Sequence, residues 1–166
     1  MKTSTIVGVE IKQLTSYPDQ RGFFREVFRA NEPLFSDGVF GQWSHSKMTQ
    51  DVVKAWHYHH VQTDWWYIPL GVVETVLYDN REESPTFKVK QSIMMGDDSL
   101  ERYHAEALCV RIPPGVLHGC KVLSHDAHLF YVTSHTYDPN EEGNAEYTIP
   151  QLIDAPNYYV IGGISW

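Results

Sequence analysis

The sequence consists of short runs in which β-branched and aromatic residues alternate with polar ones, and each run ends at a turn signal. Runs of this kind cover 7–11, 22–28, 71–79, 87–94, 108–112, 121–123 and 128–133. Clusters of Gly, Pro, Asn and Asp separate them. Because alternate residues of a strand face opposite sides, this period of two predicts an all-β fold, built as a sandwich or barrel.

Helical patterns are short and confined to 32–36 and 100–107. The final stretch, 148–166, is rich in Tyr, Ile and Gly, and we expect an irregular tail that packs on the barrel or on a partner subunit. A chain of 166 residues can bury a sizeable core without disulfides. We therefore expect one domain over residues 1–166.

Charge and cysteine content exclude several classes of protein. The chain has 21 acidic and 13 basic residues, a formal net charge of -8, which argues against nucleic acid or an anionic membrane as partner. A single small phosphorylated ligand remains compatible with this charge. Cys109 and Cys120 lie in apolar runs and are expected to be buried free thiols. With no long apolar window and no secretory pattern, we expect a cytoplasmic protein.

The most concentrated group of side chains able to bind metal or transfer protons lies around residues 54–60, where three histidines occur close together. In a strand, His57 and His59 point to one face and His60 to the other. Asp64 follows five residues after His59, and His118 ends the later segment PPGVLH at 113–118. Two imidazoles on one strand, a carboxylate from the next strand and a third imidazole from across a barrel could together hold a divalent ion. Alternatively, they are ordinary polar residues of a barrel cavity.

These two segments resemble the two motifs of the cupin superfamily, His-x-His followed by an acid and Gly, and Pro-x-Gly-x-x-His. Asp64 stands where Glu is usual, while Ala107 and Val122 depart from the second motif. The resemblance covers about residues 54–122 and implies a jelly-roll β-barrel. It also implies a metal site formed by His57, His59, Asp64 and His118, for Zn, Mn, Fe or Ni.

A longer resemblance overlaps the first and is colinear over residues 19–142. The chain is similar to dTDP-4-dehydrorhamnose 3,5-epimerases, whose opening motif is D-x-R-G-x-F-x-E-x-F. In chain order the matching segments are DQRGFFREVF at 19–28, QWSHSK at 42–47, KAWHY at 54–58, DNREESPTF at 79–87, PPGVLHG at 113–119, VLS at 122–124, FYVT at 130–133 and YDPNE at 137–141. As a set these segments are far more specific than any one of them.

This resemblance implies an isomerase that acts on a nucleotide-linked 4-keto-6-deoxy sugar, most simply a dTDP sugar. The C4 ketone acidifies the hydrogens on the adjacent carbons, so a base can remove one to give an enolate and an acid can return a proton on the other face. His57 aligns with the family's base and Tyr131 with its acid. The predicted substrate-binding residues are Arg21, Glu26, Gln42, Lys54, His118 and Glu141.

Two of the departures from the epimerase pattern bear directly on the chemistry. Asp64 replaces a lysine that the family places near the enolate oxygen, and His59 replaces a glutamine. A carboxylate there would repel the developing negative charge unless a cation intervened. Our hypothesis is that a divalent ion replaces the lysine; an ordinary epimerase of this family would need no cofactor. If His57 binds that ion, another group must act as base.

Two other functions remain open at this point. One is a metal-dependent cupin enzyme, a dioxygenase, isomerase or lyase, with a different small substrate. The other is a sugar-nucleotide-binding protein without catalysis. The resemblance also implies a homodimer that shares an N-terminal strand, and the alternating segment 6–11 is suited to such an edge.

Overall fold

The computed structural model describes residues 1–35 and 38–138, together with the backbone of 142–144. Two sequence predictions lie outside these residues: the tail over 148–166 and the substrate-binding residue Glu141. The described strands are β1 Glu10–Gln13, β2 Ser16–Asp19, β3 Gly22–Arg25, β4 Gln42–Thr49, β5 Val53–His59, β6 Asp64–Leu70, β7 Val72–Asp79, β8 Lys90–Gly96, β9 Leu108–Ile112, β10 Val116–Val122, β11 Asp126–Thr133 and β12 Glu142–Asn144. Short 3-10 turns cover Pro33–Phe35 and Glu101–Tyr103. No helix among these residues is long and apolar enough to cross a membrane.

Two five-stranded antiparallel sheets make the barrel. The first has the order β1-β9-β6-β11-β4 and the second the order β12-β5-β10-β7-β8, while β2 and β3 form a separate hairpin. Since consecutive strands β5 and β6, and β6 and β7, lie in different sheets, the chain crosses repeatedly between the two layers. This arrangement confirms the predicted all-β jelly-roll barrel.

Apolar side chains from both sheets meet between the layers. Ile68 and Val110 come from the first sheet, and Val73 and Leu77 from the second, and all four are almost fully buried. Burying each such side chain stabilises the fold by about 1.5–3 kcal/mol. The core therefore fixes the spacing of the two sheets, and hence of any residues that face each other across the remaining space.

Some predicted elements have different boundaries. The strand predicted over 7–11 starts only at Glu10, because the chain turns through 5–8, leaving Val7 52% exposed. The strand predicted over 22–28 ends at Arg25, and that over 87–94 begins at Lys90, after hydrogen-bonded turns through 81–89. The two segments with helical patterns, 32–36 and 100–107, each contain only a single 3-10 turn, because they are too short to form a stable helix.

A buried carboxylate closes the turn after β7. Asp79 is 0% exposed and accepts hydrogen bonds from Arg81 Nε at 2.7 Å, Ser84 Oγ at 2.6 Å and Thr86 Oγ1 at 2.6 Å. Arg81 Nη2 also donates to the backbone oxygen of Val7 at 2.6 Å. Although burial alone would raise it, these hydrogen bonds hold the pKa of Asp79 well below its usual range. The carboxylate thus holds Arg81 and Thr86 in place, and these two residues bond to the backbone of Val7.

Replacing Asp79 with asparagine is expected to lower the free energy of unfolding by about 2–3 kcal/mol at pH 7, because hydrogen bonds to a charged group are lost. The folded-state pKa is depressed, so the stabilisation is complete above the unfolded-state value near 3.9 and is lost as the pH falls below it. Urea unfolding between pH 3 and pH 7 should therefore show a flatter pH dependence for Asp79→Asn. Asp126→Asn, at a carboxylate only 3.5 Å from Lys47 on the surface, is the control and should cost little. Equal losses in the two variants would contradict the prediction.

Candidate active site

A cavity of about 370 Å³ opens between the two sheets, within the range of sites for small molecules. Strands β4, β5, β6, β10 and β11 supply most of its wall. The lining residues are Ser46, Lys54, His57, His59, Gln62, Asp64, Trp66, His118, Cys120, Leu129 and Tyr131. Most of the residues predicted from the histidine motifs and from the epimerase resemblance are therefore in one place.

The strand order decides which wall each residue occupies. His57 and His59 lie on β5, and His118 lies on the neighbouring β10, with His118 directly opposite His57 in the register. Asp64 begins β6 and Tyr131 lies on β11, both in the other sheet. The expectation that His118 reaches the site from across the barrel is therefore wrong. The carboxylate crosses the barrel instead, because β6 leaves β5 for the opposite layer.

His59, Asp64 and His118 form a buried cluster. Asp64 Oδ1 lies 3.6 Å from His59 Nε2, and Asp64 Oδ2 lies 3.6 Å from His118 Nε2. Although burial alone would raise it, the two imidazoles lower the pKa of Asp64. Burial lowers the pKa of His118 to about 4 despite the nearby carboxylate. At neutral pH the cluster therefore contains an ionised Asp64 and a neutral His118.

Two hydrogen-bond donors to Asp64 were not singled out in the sequence. Gln62 Nε2 donates to Oδ1 at 2.7 Å and Trp66 Nε1 donates to Oδ2 at 3.1 Å. Spacing could have indicated Trp66, since side chains two apart on a strand share one face, but Gln62 precedes β6 and no strand pattern indicates it.

The two predicted proton-transfer residues stand on different walls. His57 is exposed at the open side of the cavity, and its ring centroid lies 6.3 Å from that of His118. It is not among the three side chains whose ligand atoms lie close together, so the structure does not group it with the predicted metal ligands. Tyr131 is half-buried and packs against the main core cluster. A substrate carbon between them would have one proton-transfer residue on each side.

Of the other predicted substrate-binding residues, only some reach the cavity. Lys54 lies in the cavity, where its Nζ donates to Ser46 Oγ at 2.7 Å. Gln42 is outside the cavity lining, and its side chain donates to Ser44 Oγ at 2.8 Å and accepts from the Tyr137 backbone at 3.1 Å. The chain does not bring Arg21 and Glu26 to the cavity. Arg21 pairs with Asp19 at 2.5 Å, and Glu26 pairs with Arg29 at 2.6 Å. Their predicted roles in binding the nucleotide stay predictions.

The thiols take no part in acid–base chemistry at neutral pH. Cys120 is fully buried in the cavity wall, and burial raises its pKa to about 12. Burial also raises the pKa of Cys109. Both are free cysteines, as the sequence predicts. Since the thiolate is the reactive form, neither thiol is suited to act as a nucleophile.

Known proteins match this chain over most of its length. The sequence model of the family described as dTDP-4-dehydrorhamnose 3,5-epimerase matches residues 3–154. The spore coat polysaccharide biosynthesis protein SpsL of Bacillus subtilis is 39% identical over 137 residues, covering 82% of this chain and 85% of that protein. The probable low-salt glycan biosynthesis epimerase Agl13 of Haloferax volcanii is 33% identical over 143 residues, covering 82% of this chain and 86% of that protein.

Solved structures of epimerases share the barrel. The dTDP-6-deoxy-D-glucose-3,5-epimerase of Legionella pneumophila, solved with dTDP-4-keto-L-rhamnose, is 31% identical with a TM-score of 0.77, covering 92% of this chain and 81% of that one. A dTDP sugar isomerase of Desulfovibrio desulfuricans is 27% identical with a TM-score of 0.78, covering 90% and 91%. Sequence and fold agree over nearly the whole chain, and this protein is a member of the dTDP-4-dehydrorhamnose 3,5-epimerase family.

Proposed function

We propose that the protein is an epimerase that inverts a carbon next to the ketone of a dTDP-linked 4-keto-6-deoxy sugar. The observation that supports this most directly is the position of His57 and Tyr131, which line one cavity from different sheets. Inversion needs a proton to leave one face of a carbon and to return on the other. A base and an acid on separate walls are placed for that task.

The chemistry begins at a C–H bond beside the C4 carbonyl. His57 takes the proton, since a histidine can gain and lose a proton near neutral pH, and the electron pair of the C–H bond moves into the enolate. Tyr131 then donates its hydroxyl proton to the same carbon from the opposite face. The two residues recover their original protonation by exchange with solvent, which reaches the exposed His57.

Lys54 supplies a positive charge in the same cavity. Its ammonium group is suited to a phosphate oxygen or another anionic part of the ligand, as a single point contact rather than the two-pronged contact of an arginine. Such a contact would hold the substrate in place while the sugar faces His57 and Tyr131. The acidic net charge of the whole chain is therefore compatible with an anionic substrate.

Deuterium incorporation from solvent tests this function. The protein is incubated in D₂O with dTDP-4-keto-6-deoxyglucose, and the sugar is analysed by mass spectrometry and proton NMR. One deuteron at a carbon whose configuration is inverted by NMR would identify an epimerase at one carbon, and inversion with deuterium at both C3 and C5 would identify action at both. Binding of the nucleotide sugar without any incorporation would contradict the proposal and favour a binding protein.

We also propose a homodimer. The β2–β3 hairpin forms a sheet of its own and leaves Phe23 and Phe24 about 59% and 62% exposed. Strand β1 is the edge of the first sheet, and within the described residues its outer side is bridged at one point, between Lys2 and Ile11. Exposed aromatic groups and an uncovered strand edge are features of interaction surfaces. Sedimentation velocity at micromolar concentration should give the mass of a dimer. A strictly monomeric species would contradict this assignment.

A further inference from the structure

We propose that His59, Asp64 and His118 form a binding site for one divalent transition-metal ion in the cavity wall. Their candidate ligand atoms all lie within 4.8 Å of one another, and all three side chains are buried. Within residues 1–35 and 38–138 this is the one group of three such side chains that meets this spacing. Three separate strands or strand ends supply it, so the tertiary fold holds the ligands in place.

The distances suit coordination better than hydrogen bonding. Each carboxylate oxygen of Asp64 lies 3.6 Å from the Nε2 atom of one imidazole, which is longer than a hydrogen bond. Metal–ligand bonds of about 2.1 Å at tetrahedral angles separate two ligand atoms by about 3.4 Å. The two distances from Asp64 to the imidazoles are therefore close to those between ligands of a shared ion, and the ligand atoms of all three side chains lie within 4.8 Å of one another.

Outer hydrogen bonds hold two of the three candidate ligands, His118 and Asp64. His118 Nδ1 lies 3.0 Å from the backbone oxygen of Val116, which can only accept, so Nδ1 carries the proton and the lone pair is on Nε2. Gln62 and Trp66 donate hydrogen bonds to the two oxygens of Asp64. A second hydrogen bond that fixes each ligand is characteristic of metal sites.

The hydrogen-bonding geometry points the same way. With its proton on Nδ1, His118 directs the Nε2 lone pair toward an oxygen of Asp64 that lies 3.6 Å away, too far for a hydrogen bond. A cation between them would satisfy both groups at once. A donor set of two imidazoles and one carboxylate suits Zn²⁺, Fe²⁺ or Mn²⁺ and leaves coordination positions open.

The catalytic part of the inference rests on the proposed epimerase function. On the cavity wall that the structure describes, Lys54 is the single lysine or arginine, and it already donates to Ser46. An enolate oxygen beside Asp64 would be repelled by the carboxylate. A bound ion would reverse the local charge and stabilise that oxygen as a Lewis acid.

Metal titration of chelator-treated protein tests the site without any sugar present. Isothermal titration with Zn²⁺ should give about one ion per chain, and Co²⁺ should give visible absorption bands typical of histidine coordination. We expect Asp64→Asn and His59→Gln to weaken Zn²⁺ binding by more than about 100-fold. Replacing a residue that only hydrogen-bonds to a metal ligand already lowers metal affinity by about 10–100-fold. His60→Gln, at an exposed neighbour that is not in the cavity lining, is the matched control and should bind normally. Circular dichroism of each variant verifies folding.

An independent measurement uses the unmodified protein. In ¹⁵N NMR spectra, Zn²⁺ should shift the Nε2 resonances of His59 and His118 while Nδ1 of His118 stays protonated. Absence of stoichiometric binding, or affinity that is unchanged in Asp64→Asn and His59→Gln, would overturn the site.

The two proposals can fail separately. Deuterium incorporation at full rate in metal-free protein would refute the Lewis-acid role and leave the epimerase function intact. Tight Zn²⁺ binding that is lost in the variants, without incorporation under any metal condition, would support the site and refute the epimerase. If both proposals are right, incorporation should rise with metal loading in the unmodified protein. In Asp64→Asn, metal binding and incorporation should both fall.

Discussion

Replacing His57 with asparagine is expected to lower the rate of deuterium incorporation and of epimerisation together, by about 10²–10⁴-fold, the usual contribution of one proton-transfer group. His57 lies at the open side of the cavity, and its side chain is exposed, so the substitution should leave the fold intact. The assay is incorporation from D₂O into the 4-keto sugar, with thermal unfolding recorded on the same samples. His60→Asn, three residues on and exposed, is the control and should retain full activity.

Tyr131→Phe separates the two halves of the reaction. Without the phenolic hydroxyl, proton return to the opposite face should fall by about 10²–10⁴-fold, while His57 can still remove and return a proton on its own face. The expected result is incorporation with retained configuration and little inverted product, followed by proton NMR. Inversion at the normal rate in Tyr131→Phe would show that another group is the acid. Loss of incorporation in His60→Asn, rather than in His57→Asn, would contradict the assignment of the base.

Replacing Gly71 with alanine is expected to cost about 2–5 kcal/mol of unfolding free energy. Gly71 is the single residue between β6 and β7, which lie in different sheets, and its φ is +74°. A Cβ there would lie 2.0 Å from the backbone oxygen of Asp126 and 2.7 Å from the Cα of Ala127. The left-handed backbone contributes about 1–2 kcal/mol and the overlap with another strand about 1–3 kcal/mol.

Urea unfolding measures this cost directly, with Gly22→Ala as a matched control. Gly22 also has a positive φ, +129°, but nothing lies within 4 Å of its added Cβ. Gly22→Ala therefore reports the cost of a positive φ without crowding, and a larger loss at Gly71 measures mainly its close approach to β11. If both variants lost the same free energy, the crowding at Gly71 would not be the cause. Residual activity of Gly71→Ala should follow the folded fraction, since Gly71 itself does not line the cavity.

Local patterns predicted the strands where alternation was long and the ends were marked by turns. The strand over 108–112 was predicted with its observed bounds, and that over 71–79 to within one residue. Predictions of strand bounds failed where tertiary contacts make a strand shorter than its sequence pattern. Phe87, for example, belongs to the turn that is built around Asp79, and no short-range pattern signals a buried carboxylate that binds four groups of its own loop.

The candidate site was predicted in its residue types more than in its arrangement. Spacing along β5 is enough to place His57 and His59 on one face, because side chains two apart on a strand share a side. The hydrogen bonds from Gln62 and Trp66 to Asp64 were not predicted, and neither was the separation of His57 from the cluster of His59, Asp64 and His118. These depend on which sheet each strand enters.

Alternation and short-range spacing are enough to predict an all-β chain, three histidines and one aspartate at two motifs, and a resemblance to sugar-nucleotide epimerases. The strand order then places His118 beside His57 within one sheet, and it places Asp64 and Tyr131 opposite them in the other. Strand order is fixed by burial of the apolar faces between the two sheets, a property of the whole fold that no local segment contains.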